Sequence, residues 1–266
     1  MELNVDDRGN GPAIVLLHGQ PGQIHDWDRV VPELVEDHRV VVPDRPGYGR
    51  SAGPATGLFD GADVLAADLR ARGVEGAVVV GHSYGGGVAL ALASRHPDLV
   101  AGLVLAASIG SAAAVDPFDR IAALPLVSDA IAYIALQILP PWLLRIPVDL
   151  DVGSGSDLTA VPKHRLTEKI DLWRRRSIWR SFATEQRALV AESDDLTHAL
   201  SGIEQVAIVL SGTRDRLVRP AAARDLTERL PGARLELLAG AGHLLPYHRP
   251  DAIVAAVREV SALTFA

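Results

Sequence analysis

The chain has 266 residues, 48% of them hydrophobic and 22% charged, which suits one large domain or a domain with a substantial insertion and excludes intrinsic disorder. Its 33 acidic against 26 basic side chains give a net charge of −7, which argues against a general binder of nucleic acid. The absence of cysteine removes disulfides, thiolate nucleophiles, Cys-ligated zinc and iron–sulfur clusters together.

The opening MELNVDDRGNGP carries acids and no long apolar run, so neither a secretory nor a transit signal is expected and a cytoplasmic location is. Short β-branched runs then alternate with longer helical segments, a rhythm that specifies helices packed on a mostly parallel sheet. Strands are expected at 13–19, 39–44, 76–83, 103–108, 206–212 and 234–240. Each is apolar nearly throughout, as strands covered on both faces are. Helices are expected at 27–35, 60–71, 86–95, 221–230 and 251–263, with stops at Gly73, Pro97 and Pro231-Gly232.

About 95 residues separate the fourth expected strand from the fifth, too many for an ordinary connection. They hold an apolar segment at 130–146, a small polar loop at 151–159 and an amphipathic segment at 164–191. The expected organisation is an α/β core at 1–111 and 201–266 with a helical cap inserted at 112–200. The apolar stretch at 121–148 is broken by Pro125, Ser128, Asp129, Gln137, Pro140, Pro141 and Arg145, so no run of ~20 apolar residues spans a bilayer. Most of its apolar side chains are expected to pack the cap on the core, with a few lining a pocket that favours an apolar substrate. The stretch 163–187, with eight Lys or Arg against three acids, reads as a solvated face.

Gly81-His82-Ser83-Tyr84-Gly85 follows an apolar strand and opens a helix, the context of a nucleophile elbow. Such a turn is tight enough that the residues two before and two after the serine must lack side chains. A serine hydroxyl needs a base, itself oriented by an acid. Asp215 after the fifth expected strand and His243 after the sixth stand in the order serine, acid, histidine that this sheet class uses. His248 is the rival base, and His18 and His82 read as packing neighbours. His96, at a helix end, reads as a partner for the last carbonyls. The oxyanion of an acyl-transfer intermediate needs donors, expected from the backbone N–H groups of Tyr84 and of Gln20 in HGQPG. A histidine base predicts activity that falls on the acid side of its titration.

The segments HGQPG, VVVPDRPGYGRS, GHSYGG, GTRD and GAGH occur in the order and spacing of the α/β-hydrolase fold, and the chain resembles its capped serine hydrolases. The resemblance implies Ser83 as nucleophile, His243 as base, Asp215 as orienting acid, Gln20 and Tyr84 as oxyanion donors, and no cofactor. Epoxide hydrolases and haloalkane dehalogenases share H-G-x-P but carry an aspartate where this chain has Ser83. The function implied is cleavage of an ester, thioester, lactone or C–C diketone bond in a small to medium apolar substrate. A lyase, cofactor-free oxygenase, perhydrolase or acyltransferase using the same residues as acid and base is the alternative. The oligomeric state stays open, a homodimer included.

Overall fold

The apolar runs become seven strands of one sheet: β1 (Val5–Arg8), β2 (Ala13–Leu17), β3 (Arg39–Pro43), β4 (Ala77–His82), β5 (Val100–Ala106), β6 (Val206–Gly212) and β7 (Ala233–Leu238). The computed structural model describes residues 2–138, 162–175 and 177–265. The strand order is β1-β3-β2-β4-β5-β6-β7. All neighbours are parallel except β1 against β3, where Val5 stands opposite Pro43 and Arg8 opposite Val40. Six of these strands are the expected ones, with β5 starting three residues early. The seventh, β1, reads Val-Asp-Asp-Arg; an edge strand needs no apolar run, so hydrophobicity does not announce it.

Successive residues of the central strands alternate between two cores. Val15, Leu17, Val79, Leu103, Leu105 and Val209 enter one. Ile14, Leu16, Val78, Val80, Val104 and Ile208 enter the other. Both faces are therefore covered, which is why the strands are apolar throughout instead of alternating. The first face carries α2 (Leu58–Ala71), α3 (Tyr84–Arg95) and α8 (Pro220–Arg229). The second carries α1 (Val31–Leu34) and α10 (Pro250–Thr264). The helix expected at 27–35 is split into a 3₁₀ turn at Ile24–Trp27 and α1. Pro32, tolerated only in a first turn because it lacks an N–H, forces the helix to restart there.

Between β5 and β6 the chain forms an inserted helical layer: α4 (Pro117–Ala122), α5 (Val127–Tyr133) running into a π turn (Ile134–Ile138), α6 (Lys163–Trp173) and α7 (Ile178–Ala199). The expected single segment at 164–191 is thus two helices. Residues 139–146 of the apolar segment and the polar loop at 151–159 lie outside the described residues. The packing expectation for 121–148 fails in part. Ile121, Leu124, Leu126, Ile134 and Ile138 are 49–80% exposed. The short helices α4 and α5 pack on α7, and a helix in a single layer can bury only one face. Among the described residues no helix is long and apolar enough to cross a membrane.

Candidate active site

The turn from β4 into α3 holds Ser83 at φ 52°, ψ −121°, a conformation that side chains rarely adopt and that persists only where the surroundings impose it. A Cβ at Gly81 would overlap the backbone of Gly85 and Gly86, and one at Gly85 the carbonyls of Leu17 and His18. The two glycines of the motif are therefore steric requirements of the fold. Gly19 comes close to the same turn: a Cβ there would lie 3.1 Å from that of Ser83.

The loops after β4, β6 and β7 bring Ser83, Asp215 and His243 together. His243 Nε2 lies 3.0 Å from Ser83 Oγ. His243 Nδ1 lies 2.9 Å from Asp215 Oδ2. The other carboxylate oxygen, Oδ1, accepts the N–H groups of Leu217 and Val218, both at 2.9 Å. The turn thereby fixes the carboxylate, and the carboxylate fixes the imidazole with Nδ1–H donating and Nε2 free to accept the serine proton. Asp215 and His243 are 3% and 5% exposed, so water does not compete for these bonds. His248 ends α9 (Leu245–His248), and it is His243 that reaches Ser83.

The two neighbouring histidines pack as expected. His82 faces the His243 carbonyl through Nε2 at 3.0 Å. His18 Nε2 accepts the Arg45 N–H at 2.9 Å while Nδ1 faces the Gly19 carbonyl at 2.8 Å. Burial lowers both to about 3, so both are neutral at ordinary pH. His96 departs from expectation: its ring meets the Asp63 carboxylate at 2.8 Å instead of the last carbonyls of α3.

Tyr84 is the first residue of α3, where an N–H has no acceptor within the helix. Its ring turns into the core beneath the Arg45 guanidinium, 4.9 Å away. Gln20 lines the cavity over Ser83, and its side-chain amide donates to Gln186 of α7 at 3.2 Å. The cavity measures about 500 Å³, within the range of small-molecule sites. Phe118, Ile131, Phe182 and Leu189 of the inserted helices supply apolar wall. Phe118 and Leu217 line it while 65% and 54% exposed, and so mark its mouth. Among the described residues no cluster of histidine, aspartate and glutamate is arranged to hold a metal.

The α/β-hydrolase fold family matches residues 12–250, a span that includes the elbow and both loops that complete it. The chain belongs to the α/β-hydrolase fold family. A pimeloyl-[acyl-carrier protein] methyl ester esterase of Nitrosomonas europaea is 33% identical over 91% of this chain and 92% of that one. Lipase LipV of Mycobacterium tuberculosis is 31% identical over 97% of each. A thermophilic esterase from Thermogutta terrifontis has the same fold, with a TM-score of 0.81 at 23% identity over 99% of this chain and 94% of that one.

Two buried charge clusters in this chain escape a reading of the sequence. Arg45 donates to the His18 and Gly19 carbonyls, each at 2.9 Å, and forms an ion pair with Glu185 of α7. Tyr48 donates to the same carboxylate at 2.8 Å. Arg45 is 5% and Glu185 1% exposed, so one guanidinium ties the HGQPG loop to the inserted layer. The partners are 140 residues apart in sequence, beyond any local pattern. Glu185→Gln leaves the Arg45 charge buried without its counterion, and an expected loss of about 3–5 kcal/mol follows. Urea unfolding of the variant measures it, and an unchanged midpoint rejects it.

The second cluster is Lys169 of α6 with Asp26 and Tyr247. Lys169 Nζ and Tyr247 Oη donate to Asp26 Oδ1 at 2.5 and 2.7 Å. Burial works to raise the Asp26 carboxyl, but the Lys169 ammonium outweighs it and holds Asp26 below the usual carboxylate value. Among the described residues of that basic stretch, Arg174, Arg175 and Arg180 are exposed, as expected of a solvated face, while Arg165 pairs with Asp28 and Glu168 and Arg187 with Asp129.

Proposed function

We propose that this α/β hydrolase is a serine hydrolase that cleaves an ester-like bond of a small to medium substrate held between the core and a cap formed by residues 112–200. The observation that carries the reading is the chain of hydrogen bonds from Asp215 through His243 to Ser83, opening into a mostly apolar cavity. Ser83 Oγ attacks the carbonyl carbon as its proton passes to His243 Nε2. The N–H groups of Tyr84 and Gln20 stabilise the resulting oxyanion. The imidazolium then returns the proton to the leaving oxygen, and an acyl group remains on Ser83. Water, deprotonated by the same nitrogen, hydrolyses that ester and regenerates the serine. The esterase and lipase relatives support an ester substrate.

A p-nitrophenyl ester series of increasing acyl length tests this. Hydrolysis is expected to show a chain-length optimum set by the cavity. Diethyl p-nitrophenyl phosphate is expected to abolish it with one phosphoryl adduct, located on Ser83 by peptide mass mapping. Inertness towards every ester, or an adduct on another residue, rejects the reading.

A further inference from the structure

A buried ammonium in the wall of a substrate cavity is an expensive way to fasten a cap. Lys169 is 7% exposed and Asp26 5%, and an ion pair so placed generally contributes no more to stability than apolar side chains of the same volume. Its position is the informative feature: Lys169, Asp26, Trp173 and Tyr247 all line the cavity that contains Ser83 and His243. An ammonium has three donors, and the bond to Asp26 uses one, leaving two on a side chain that lines the cavity. Trp173 follows Lys169 by four residues on α6 and so shares its face. Its indole N–H is buried without a hydrogen-bond partner, a state that ordinarily costs free energy and calls for a partner. The Trp173 and Tyr247 rings lie 5.7 and 5.4 Å from the ammonium. Asp26 already balances the Lys169 charge, so a second carboxylate here would leave an uncompensated buried anion. An uncharged oxygen meets the donors without that cost.

We propose that Lys169, with the indole N–H of Trp173, forms a subsite for an uncharged carbonyl oxygen carried by the substrate in addition to the bond that Ser83 attacks. The substrate class is therefore a keto or acylamino ester, not a plain hydrocarbon one. This rests on the serine-hydrolase reading above.

The test compares kcat/KM for p-nitrophenyl hexanoate with its 3-, 4- and 5-oxo analogues, and for butyl butanoate with 3-oxobutyl butanoate. The proteins are the wild type, Lys169→Met, and the double variant Lys169→Met with Asp26→Asn, which removes both charges. The wild type is expected to prefer at least one oxo ester by about 10–100-fold, the worth of one hydrogen bond to a charged donor. In both variants that preference falls to about one. The ratio is taken within one preparation, so loss of folded protein cancels. Equal rates on plain and oxo esters in the wild type overturn the subsite, as does a preference that survives both variants; Lys169 is then only a clamp between α6 and the core. If Ser83-dependent turnover of the plain esters is itself missing, the serine-hydrolase reading fails and the subsite falls with it.

Discussion

Ser83→Ala is expected to lower kcat on a p-nitrophenyl ester about 10⁶-fold, His243→Ala by about as much, and the double variant no further than either alone. The reason is that in the proposed mechanism the two side chains perform one act. With Ser83 Oγ 3.0 Å from His243 Nε2, the imidazole would accept the proton as the carbon–oxygen bond forms, and neither half of that transfer would have value without the other. Asp215 does something different. In the same proposal it holds the tautomer and balances the imidazolium, so Asp215→Asn, which favours the wrong tautomer, is expected to cost about 10⁴. Ser83→Ala and His243→Ala should retain a residual rate of roughly 10³–10⁴ over water, because they leave the proposed backbone donors of Tyr84 and Gln20 untouched, and Asp215→Asn should retain about 100-fold more. Single-turnover kinetics on the purified variants measures these ratios. Losses that multiply in the double variant show that the residues do not act as one unit.

The serine turn of this candidate site was legible in the sequence because the backbone demands its glycines locally. Gly81 and Gly85 are required where no Cβ fits, and the strand before and the helix after them give the turn its direction. Asp215 and His243 follow from strand order once the sheet is parallel. The surrounding charges were not legible, for a physical reason. Lys169 belongs to a run of basic residues whose other described members are mostly at the surface, and only the placement of α6 over Asp26 distinguishes it. The Arg45–Glu185 pair joins the loop after β3 to α7, so its existence depends on how the inserted helices dock. The exposed apolar side chains of α4 and α5 likewise reflect layer thickness, which hydrophobic periodicity along one helix does not encode.

Stability is expected to fall steeply as the solution is acidified from pH 6.5, well before carboxylates are protonated in the unfolded chain. His18 and His82 titrate at about 3 in the folded protein because burial opposes their charged forms, while an unfolded histidine titrates near 6.5. Between those values the unfolded chain binds two more protons than the native one. Each proton lowers the unfolding free energy by about 1.4 kcal/mol per pH unit once the unfolded histidine is fully charged, so the pair removes about 3 kcal/mol between pH 6.5 and 5. The sign is that of a base with a depressed folded pKa: its contribution is whole above 6.5 and lost as pH falls towards 3. Other groups enter as acidification proceeds. Asp26, held low in the folded state, adds to the loss. Burial raises Asp119, Glu185 and Glu192, and their protonation in the folded state works the other way, so the histidine contribution is read from the difference between the wild type and a non-titrating histidine variant. His18 cannot escape by taking up a proton in place: its Nε2 already accepts the Arg45 N–H, and Arg45 itself carries a charge beside it. Urea unfolding at pH 7, 6 and 5 with a constant m-value measures the slope. His82→Gln, which cannot titrate, is expected to halve it. A midpoint that stays level from pH 7 to 5 rejects the assignment of both histidines as neutral parts of the native core.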